Sequence, residues 1–145
     1  MYLLPYQALL GLHLLAVALF LAGFVITGLS LPSWTRGPLT PGQHEALHRL
    51  RSMNSLISTP ALAFVWLFGG WMALQAGWYE AGWLQWKVIL VAILSLLHFQ
   101  QGRTLKRLDG GAAVRAVGLR ALAASLLVVA FIATLVIAKP DLPPL

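Results

Sequence analysis

The chain has 145 residues, of which 59% are hydrophobic and 10% are charged, and it contains no cysteine. This composition lies outside the range of water-soluble globular domains and predicts an integral membrane protein. The absence of cysteine excludes disulfides, thiolate metal sites and cysteine nucleophiles. Any metal would therefore have to bind histidine, methionine, lysine or carboxylate groups.

Four segments are long and apolar enough to be transmembrane helices, because crossing a hydrocarbon core takes about 20 apolar helical residues. In chain order they cover residues 9–31, 56–76, 83–99 and 121–138. The connections between them contain proline, glycine and charged residues, which break helices or need water. The first segment has no Lys or Arg before it and exceeds the length of a signal-peptide core, so we interpret it as a retained helix. The sequence predicts one all-α domain, a four-transmembrane-helix bundle over residues 1–145.

The basic residues predict the orientation of this bundle. Most of the ten Lys and Arg residues lie in the first and third connections, whereas Lys87 and Lys139 fall on the opposite side. Short basic loops stay in the cytoplasm, so we expect an N-out/C-out topology in a bacterial inner membrane. Tryptophans around the second connection are typical of the outer headgroup level. We expect the basic loops to contact anionic membrane lipid and not nucleic acid.

Three ionisable residues, His13, Lys87 and His98, lie within predicted spans. Such residues are costly inside a membrane, so each is a hypothesis for a functional site. Lys87 and His98 share one face of the third span, and Ser95 lies close to that face. The face of the first span that carries His13 continues through small and aromatic residues, which leave room for a neighbouring helix or a flat ligand. These residues are Ala16, Phe20, Gly23 and Thr27.

Depth in the membrane separates the two histidines. With a rise of about 1.5 Å per residue, His13 and Lys87 are expected in the outer third, and His98 about 16 Å deeper than Lys87. We therefore expect His13 to be an axial ligand of any bound haem. His98 would act separately near Arg51, toward propionates or a substrate carboxylate.

Simpler interpretations of the same residues stay open. The Lys87 side chain would then extend to the outer headgroups, as long cationic side chains do near helix ends. His98 would be an interfacial histidine bonded to Ser95 or to a backbone carbonyl. His13 would be a structural residue of the helix interface.

Residues 44–48 read His-Glu-Ala-Leu-His, which matches the H-E-x-x-H pattern of zinc proteases. That chemistry needs a third ligand and a substrate cleft, and Asp109 is the only further carboxylate expected on the same side. The segment continues into the basic run Arg49-Leu50-Arg51. We therefore interpret it as a solvated amphipathic helix that leads into the second span.

The third span and the connection after it read GWLQWKVILVAILSLLHFQQGRTLKRLDGG over residues 82–111. This stretch is similar to the pattern G-W-L-H-x-K … H-F-x-x-G-R-x-x-K-x-L. The matching positions are Trp83, Leu84, Lys87, His98, Gly102, Arg103 and Lys106. The first span contains LHLLAVALFLAG, similar to F-H … F-A-G, and the second contains LISTPALAFVWLFGG, similar to I-I-T-T-P … G. On these residues the chain resembles the HemJ-type protoporphyrinogen oxidases and the related CopD-like four-helix membrane proteins.

The resemblance implies a b-type haem inside the bundle and the six-electron oxidation of protoporphyrinogen IX, a step of porphyrin biosynthesis, with electrons passing to a membrane acceptor. It makes Lys87 and His98 candidate catalytic residues. The candidate haem-binding residues are His13 as the iron ligand, Lys87, Arg51 and Arg103. The chain departs from the pattern at Gln85, where the family has histidine, and at residues 123–125, where Ala-Ala-Ser replaces part of N-E-x-P-T.

Three hypotheses of function follow. The first is a haem b membrane protein that acts as a porphyrinogen oxidase or as an electron-transferring subunit. The second is a CopD-like permease for copper or a small solute, which would need soft or imidazole ligands along a path; the available ones are Met53, Met72, His13 and His98. The third is a cofactor-free structural subunit that forms a homodimer or packs on partner membrane subunits through small residues such as Gly69 and Gly70.

Overall fold

The structure is a computed structural model that describes residues 5–114 and 119–138. Every regular element in this part of the chain is helical, which confirms the predicted all-α class. The helices are α1 (Tyr6–Trp34), α2 (Pro41–Met53), α3 (Thr59–Gln75), α4 (Gly82–Asp109) and α5 (Leu119–Ala138). A π-helical turn (Asn54–Ser58) joins α2 to α3, and a 3-10 turn (Trp78–Glu80) precedes α4.

Three helices are long and apolar enough to cross a membrane. They are α1, the continuous helix Pro41–Gln75 made of α2, the π turn and α3, and α4. The predicted fourth span coincides with α5, but its apolar stretch among the described side chains, Ala123–Thr134, is shorter than a span. Lys139 and Asp141 lie outside the described residues.

The long second helix begins with a strong N-terminal signal. Thr40 and Gln43 form a capping box, in which each side chain bonds the other residue's main-chain N–H. Pro41 follows at the first helical position, where its missing N–H costs nothing. The predicted amphipathic helix over the H-E-x-x-H segment is confirmed, because Leu47 and Leu50 are buried while His44 and His48 are exposed.

A π turn interrupts this helix directly before Thr59 and Pro60. Pro60 has no N–H and cannot complete the α-helical bond to the preceding turn, which is the usual reason for a local change of helix type. In the π turn the main-chain N–H of Thr59 instead reaches the carbonyl of Asn54. The Thr-Pro pair therefore accounts for the element that separates α2 from α3.

Two apolar clusters fill the bundle at different levels. The first joins α1, α3 and α4 through Ala16, Phe20, Phe24, Ala61, Leu62, Val65 and Leu94. The second joins the end of α1 to α2 and the end of α4 through Leu31, Trp34, Leu47, Leu50, Leu105 and Leu108. Because lipid is as apolar as these side chains, close packing rather than transfer from water holds such helices together.

The two ends of the bundle differ in chemistry. At the aromatic end, Tyr6 makes an edge contact with Trp78, which in turn contacts Trp83, with ring centroids 6.4 and 5.5 Å apart. At the basic end, Arg51 of α2 forms an ion pair with Asp109 at the end of α4. The chain of α1 and of α4 therefore runs from the aromatic end to the basic end, and α3 runs back.

Candidate functional site

His13 lies in the aromatic half of the bundle, between α1 and α3. It is 8% exposed, and its ring lies over Gly69, where an added Cβ would stand 3.0 Å from His13 Cε1. The ring also lies near the main chain of Val65. Its Nδ1 is buried without a hydrogen-bond partner.

Lys87 lies at the level of His13, close enough for its charge to act on the imidazole. This neighbourhood joins α1, α3 and α4, since Lys87 belongs to the first turns of α4. The half-buried lysine places a cation beside the histidine inside an otherwise apolar region. The two residues can together hold a ligand that combines a metal with a carboxylate or another anionic group.

An open groove runs along α3, formed by residues that are close in sequence to Gly69. It has a volume of about 610 Å³ and is lined by Trp66, Leu67, Gly70, Trp71, Leu74 and Gln75. Gln75 Nε2 is a buried donor without a partner. A second groove of about 380 Å³, between α1 and α3, is lined mainly by exposed apolar residues such as Leu12, Leu15 and Phe64. His13 lines neither groove.

His98 lies deeper, beside Phe20, and is 1% exposed. The His98 and Phe20 ring centroids are 5.3 Å apart. His98 Nε2 is 3.1 Å from Thr59 Oγ1, and that hydroxyl donates to the carbonyl of Asn54 at 2.8 Å. Because a hydroxyl has one proton, Thr59 accepts from His98, which puts the proton on Nε2 and leaves Nδ1 as an acceptor. Nδ1 has no partner.

The expected alternative partner of His98 is not the one observed. Ser95 donates to the carbonyl of Val91 at 2.7 Å and accepts from Trp66 Nε1 at 3.1 Å. Thr59 takes the place that Ser95 was expected to fill, because the π turn brings it toward α4. The polar residues before Pro60 were the signal in the sequence for a polar contact here. The predicted second span began at residue 56, however, and so did not include Asn54.

Around His98 the structure gathers polar side chains that sequence reasoning missed. An added Cβ on Gly23 would stand 1.8 Å from Ser58 Oγ, and one on Gly102 would stand 3.1 Å from Asn54 Nδ2. The π turn is thus pressed against α1 on one side and α4 on the other. Unpartnered buried atoms are numerous here; they are Thr27 Oγ1, Asn54 Oδ1, Ser58 Oγ, His98 Nδ1 and Gln101 Oε1. We call this group the π-turn layer.

The two arginines expected at a haem do not join His13. Arg51 forms its ion pair with Asp109 at the basic end, and Arg103 is exposed. Arg103 lies about 24 Å along α4 from Lys87, because each helical residue rises about 1.5 Å. Neither arginine lies in the π-turn layer. The structure therefore brings together His13 and Lys87, and keeps His98, Arg51 and Arg103 apart from them.

The H-E-x-x-H segment forms no metal site among the residues that the structure describes. Glu45 is bound to Arg49 by an exposed ion pair of 2.6 Å, one helical turn further on. Within residues 5–114 and 119–138, no three His, Asp or Glu side chains are grouped as a metal site.

No family model, no curated protein and no solved structure matches the chain. The resemblance to the HemJ-type oxidases thus stands on the motif residues alone.

Proposed function

We propose that this protein binds haem b beside His13 and serves in redox chemistry within the membrane, as a porphyrinogen oxidase or an electron-transferring subunit. The proposal includes four spans, with α5 as the fourth, and the basic end facing the cytoplasm. Bound haem would supply one-electron redox chemistry, while the protein would supply an axial ligand and an apolar surrounding.

One observation carries the proposal: a buried imidazole has an unpartnered ring nitrogen and lies close to a lysine. An unpaired polar atom inside a membrane is costly, and iron would compensate for that cost. Histidine is a common axial ligand of b-type haem, so the residue type present suits the group. Lys87 supplies a cation for an anionic substituent.

The test is an absorption spectrum of the protein purified in mild detergent. We expect a Soret band, with sharp α and β bands after reduction. His13→Ala should abolish or shift these bands. His98→Ala, which removes the other buried imidazole, is the matched control and should change them less. A purified His13→Ala protein with the wild-type spectrum would refute the ligand assignment.

The second candidate is the cofactor-free structural subunit. It is favoured by the close approach of the His13 ring to Gly69, which makes a tight contact between α1 and α3. This candidate predicts a colourless protein that copurifies with partner subunits or as a homodimer. Lys87→Met should then leave the protein's spectrum unchanged but weaken its association.

A further inference from the structure

The π-turn layer contains hydroxyls that lack the hydrogen bond to main chain that other hydroxyls of this bundle make. Elsewhere, serine and threonine hydroxyls on the helices donate to the carbonyl one turn earlier, as Ser30 does to Ile26 at 2.9 Å and Thr104 does to Gln100 at 3.0 Å. Thr27 and Ser58 are 0% exposed and have no partner at all. Their free hydroxyls indicate that something outside the protein satisfies them.

The remaining free atoms of the layer define the chemistry of that occupant. Asn54 Oδ1, Gln101 Oε1 and His98 Nδ1 are all acceptors. The layer therefore favours a molecule that donates hydrogen bonds, and it disfavours a carboxylate or phosphate, which can only accept.

Charge narrows the choice further. Among the acidic residues that the structure describes, Glu45 and Glu80 are exposed, and Asp109 is paired with Arg51. None of them reaches the layer, so a bare cation would lie there without a counter-charge, which is very costly in an apolar surrounding. The remaining class of occupant is a neutral molecule that donates hydrogen bonds.

The surroundings restrict the size of the occupant. The layer lies between the two apolar clusters, with Phe20 and Phe24 toward the aromatic end and Leu31 and Leu105 toward the basic end. These side chains are at most 3% exposed. The occupant must be small, because Ser58 fits closely against Gly23 and Asn54 against Gly102.

We propose that the π-turn layer is a hydration site, in which ordered water bridges the free hydroxyls of Thr27 and Ser58 to the acceptors Asn54, His98 and Gln101. Water is the smallest neutral donor, and buried water typically makes about three hydrogen bonds to otherwise unsatisfied groups. The π turn makes the site, since it turns Asn54 and Ser58 into the bundle while it bonds Thr59 to His98. This site is independent of haem binding at His13.

The test is radiolytic hydroxyl labelling in water enriched in oxygen-18, with the protein in lipid nanodiscs. Radicals formed from bound water oxidise only neighbouring side chains, so we expect His98 and Phe20 to be labelled although they are buried. Met72 is the control, because it is buried at 7% exposure away from the layer and its sulfur is more reactive. Labelling of His98 no greater than that of Met72, after each is divided by the intrinsic reactivity of its side chain, would overturn the proposal.

Variants of the hydroxyl residues test whether the labelling of His98 depends on the π-turn layer. Ser58→Ala should reduce the labelling of His98 and lower the midpoint of thermal unfolding, because the water loses a partner. Ser95→Ala is the matched control, since that hydroxyl is already satisfied by Val91 and Trp66. Thr27→Val provides a second, volume-conserving variant. If the hydroxyl variants leave His98 labelling unchanged and do not lower the midpoint, the layer is dry and the proposal is wrong.

Discussion

His13 and His98 are both buried imidazoles with an unpartnered Nδ1, but they lie in different surroundings. His98 is bonded to a hydroxyl inside a group of neutral polar side chains. His13 faces a glycine of α3 and has a cation beside it. The comparison teaches that burial of a histidine alone does not identify a ligand; what surrounds the free nitrogen does.

The two levels also differ in how the helices approach each other. At the His13 level a ring covers Gly69, and a shift of the side chain would accommodate an added methyl group. At the π-turn layer, Ser58 occupies the space that a side chain on Gly23 would need, so helix α1 itself would have to move. The π-turn layer is therefore expected to be the more rigid of the two.

The largest effect is expected from Gly23→Ala. The new Cβ would stand 1.8 Å from Ser58 Oγ and 2.9 Å from Ser58 Cβ, which forces the helices apart. We expect a destabilisation of about 1–3 kcal/mol, as is typical of overpacking. Gly11→Ala on the same helix is the control, because nothing lies within 4 Å of its added Cβ. Circular dichroism during heating in detergent measures both, and equal midpoints would contradict the close fit at Gly23.

A smaller effect is expected from Gly69→Ala at the His13 level. The added Cβ would stand 3.0 Å from His13 Cε1 and displace the ring by a few tenths of an ångström. If haem binds there, a loss of about 1 kcal/mol would weaken haem binding about fivefold. Gly70→Ala, with open space at its Cβ, is the neighbouring control. Haem titration followed at the Soret band compares the two, and a greater loss in the Gly70 variant would place the ligand elsewhere.

Hydrophobicity and helix breakers were sufficient to predict most of the fold. The predicted span 83–99 lies within α4, but α4 continues to Asp109, because polar residues such as Arg103 can extend a helix into water. The first predicted connection is shorter than expected, since α2 joins α3 through the π turn. Periodicity alone does not indicate a π turn; the Thr59-Pro60 pair was its only local signal.

The candidate site was predictable to a different degree at each residue. A helical rise of about 1.5 Å per residue was enough to expect His13 and Lys87 at one level. The partner of His98 was not predictable, because Thr59 is distant in sequence and the π turn changes which side chains of the second helix face α4. Arg51 was expected near a ligand, but its nearest anionic group is Asp109, a pairing of residues far apart in the chain.

A third prediction concerns the rigidity of the basic end. The ion pair between Arg51 and Asp109 joins α2 to α4, and Asp109 is only 17% exposed. Because the pair is partly shielded from water, we expect Asp109→Asn to cost about 1 kcal/mol. A double-mutant cycle with Arg51→Met, measured by thermal unfolding, isolates the interaction between the two side chains. A coupling energy near zero would show that the apolar cluster alone holds this end.

The smallest effect is expected at the exposed pair Glu45 and Arg49, which provides the comparison for the shielded one. Both side chains are more than half exposed and lie one turn apart on α2, so their attraction is screened by water and salt. We expect a coupling energy of about 0.3 kcal/mol, which should vanish at high ionic strength, whereas the Arg51 and Asp109 coupling should persist. The same double-mutant cycle with Glu45→Gln and Arg49→Met measures it. If the exposed pair proved the stronger, partial burial would not be what strengthens the ion pair between Arg51 and Asp109.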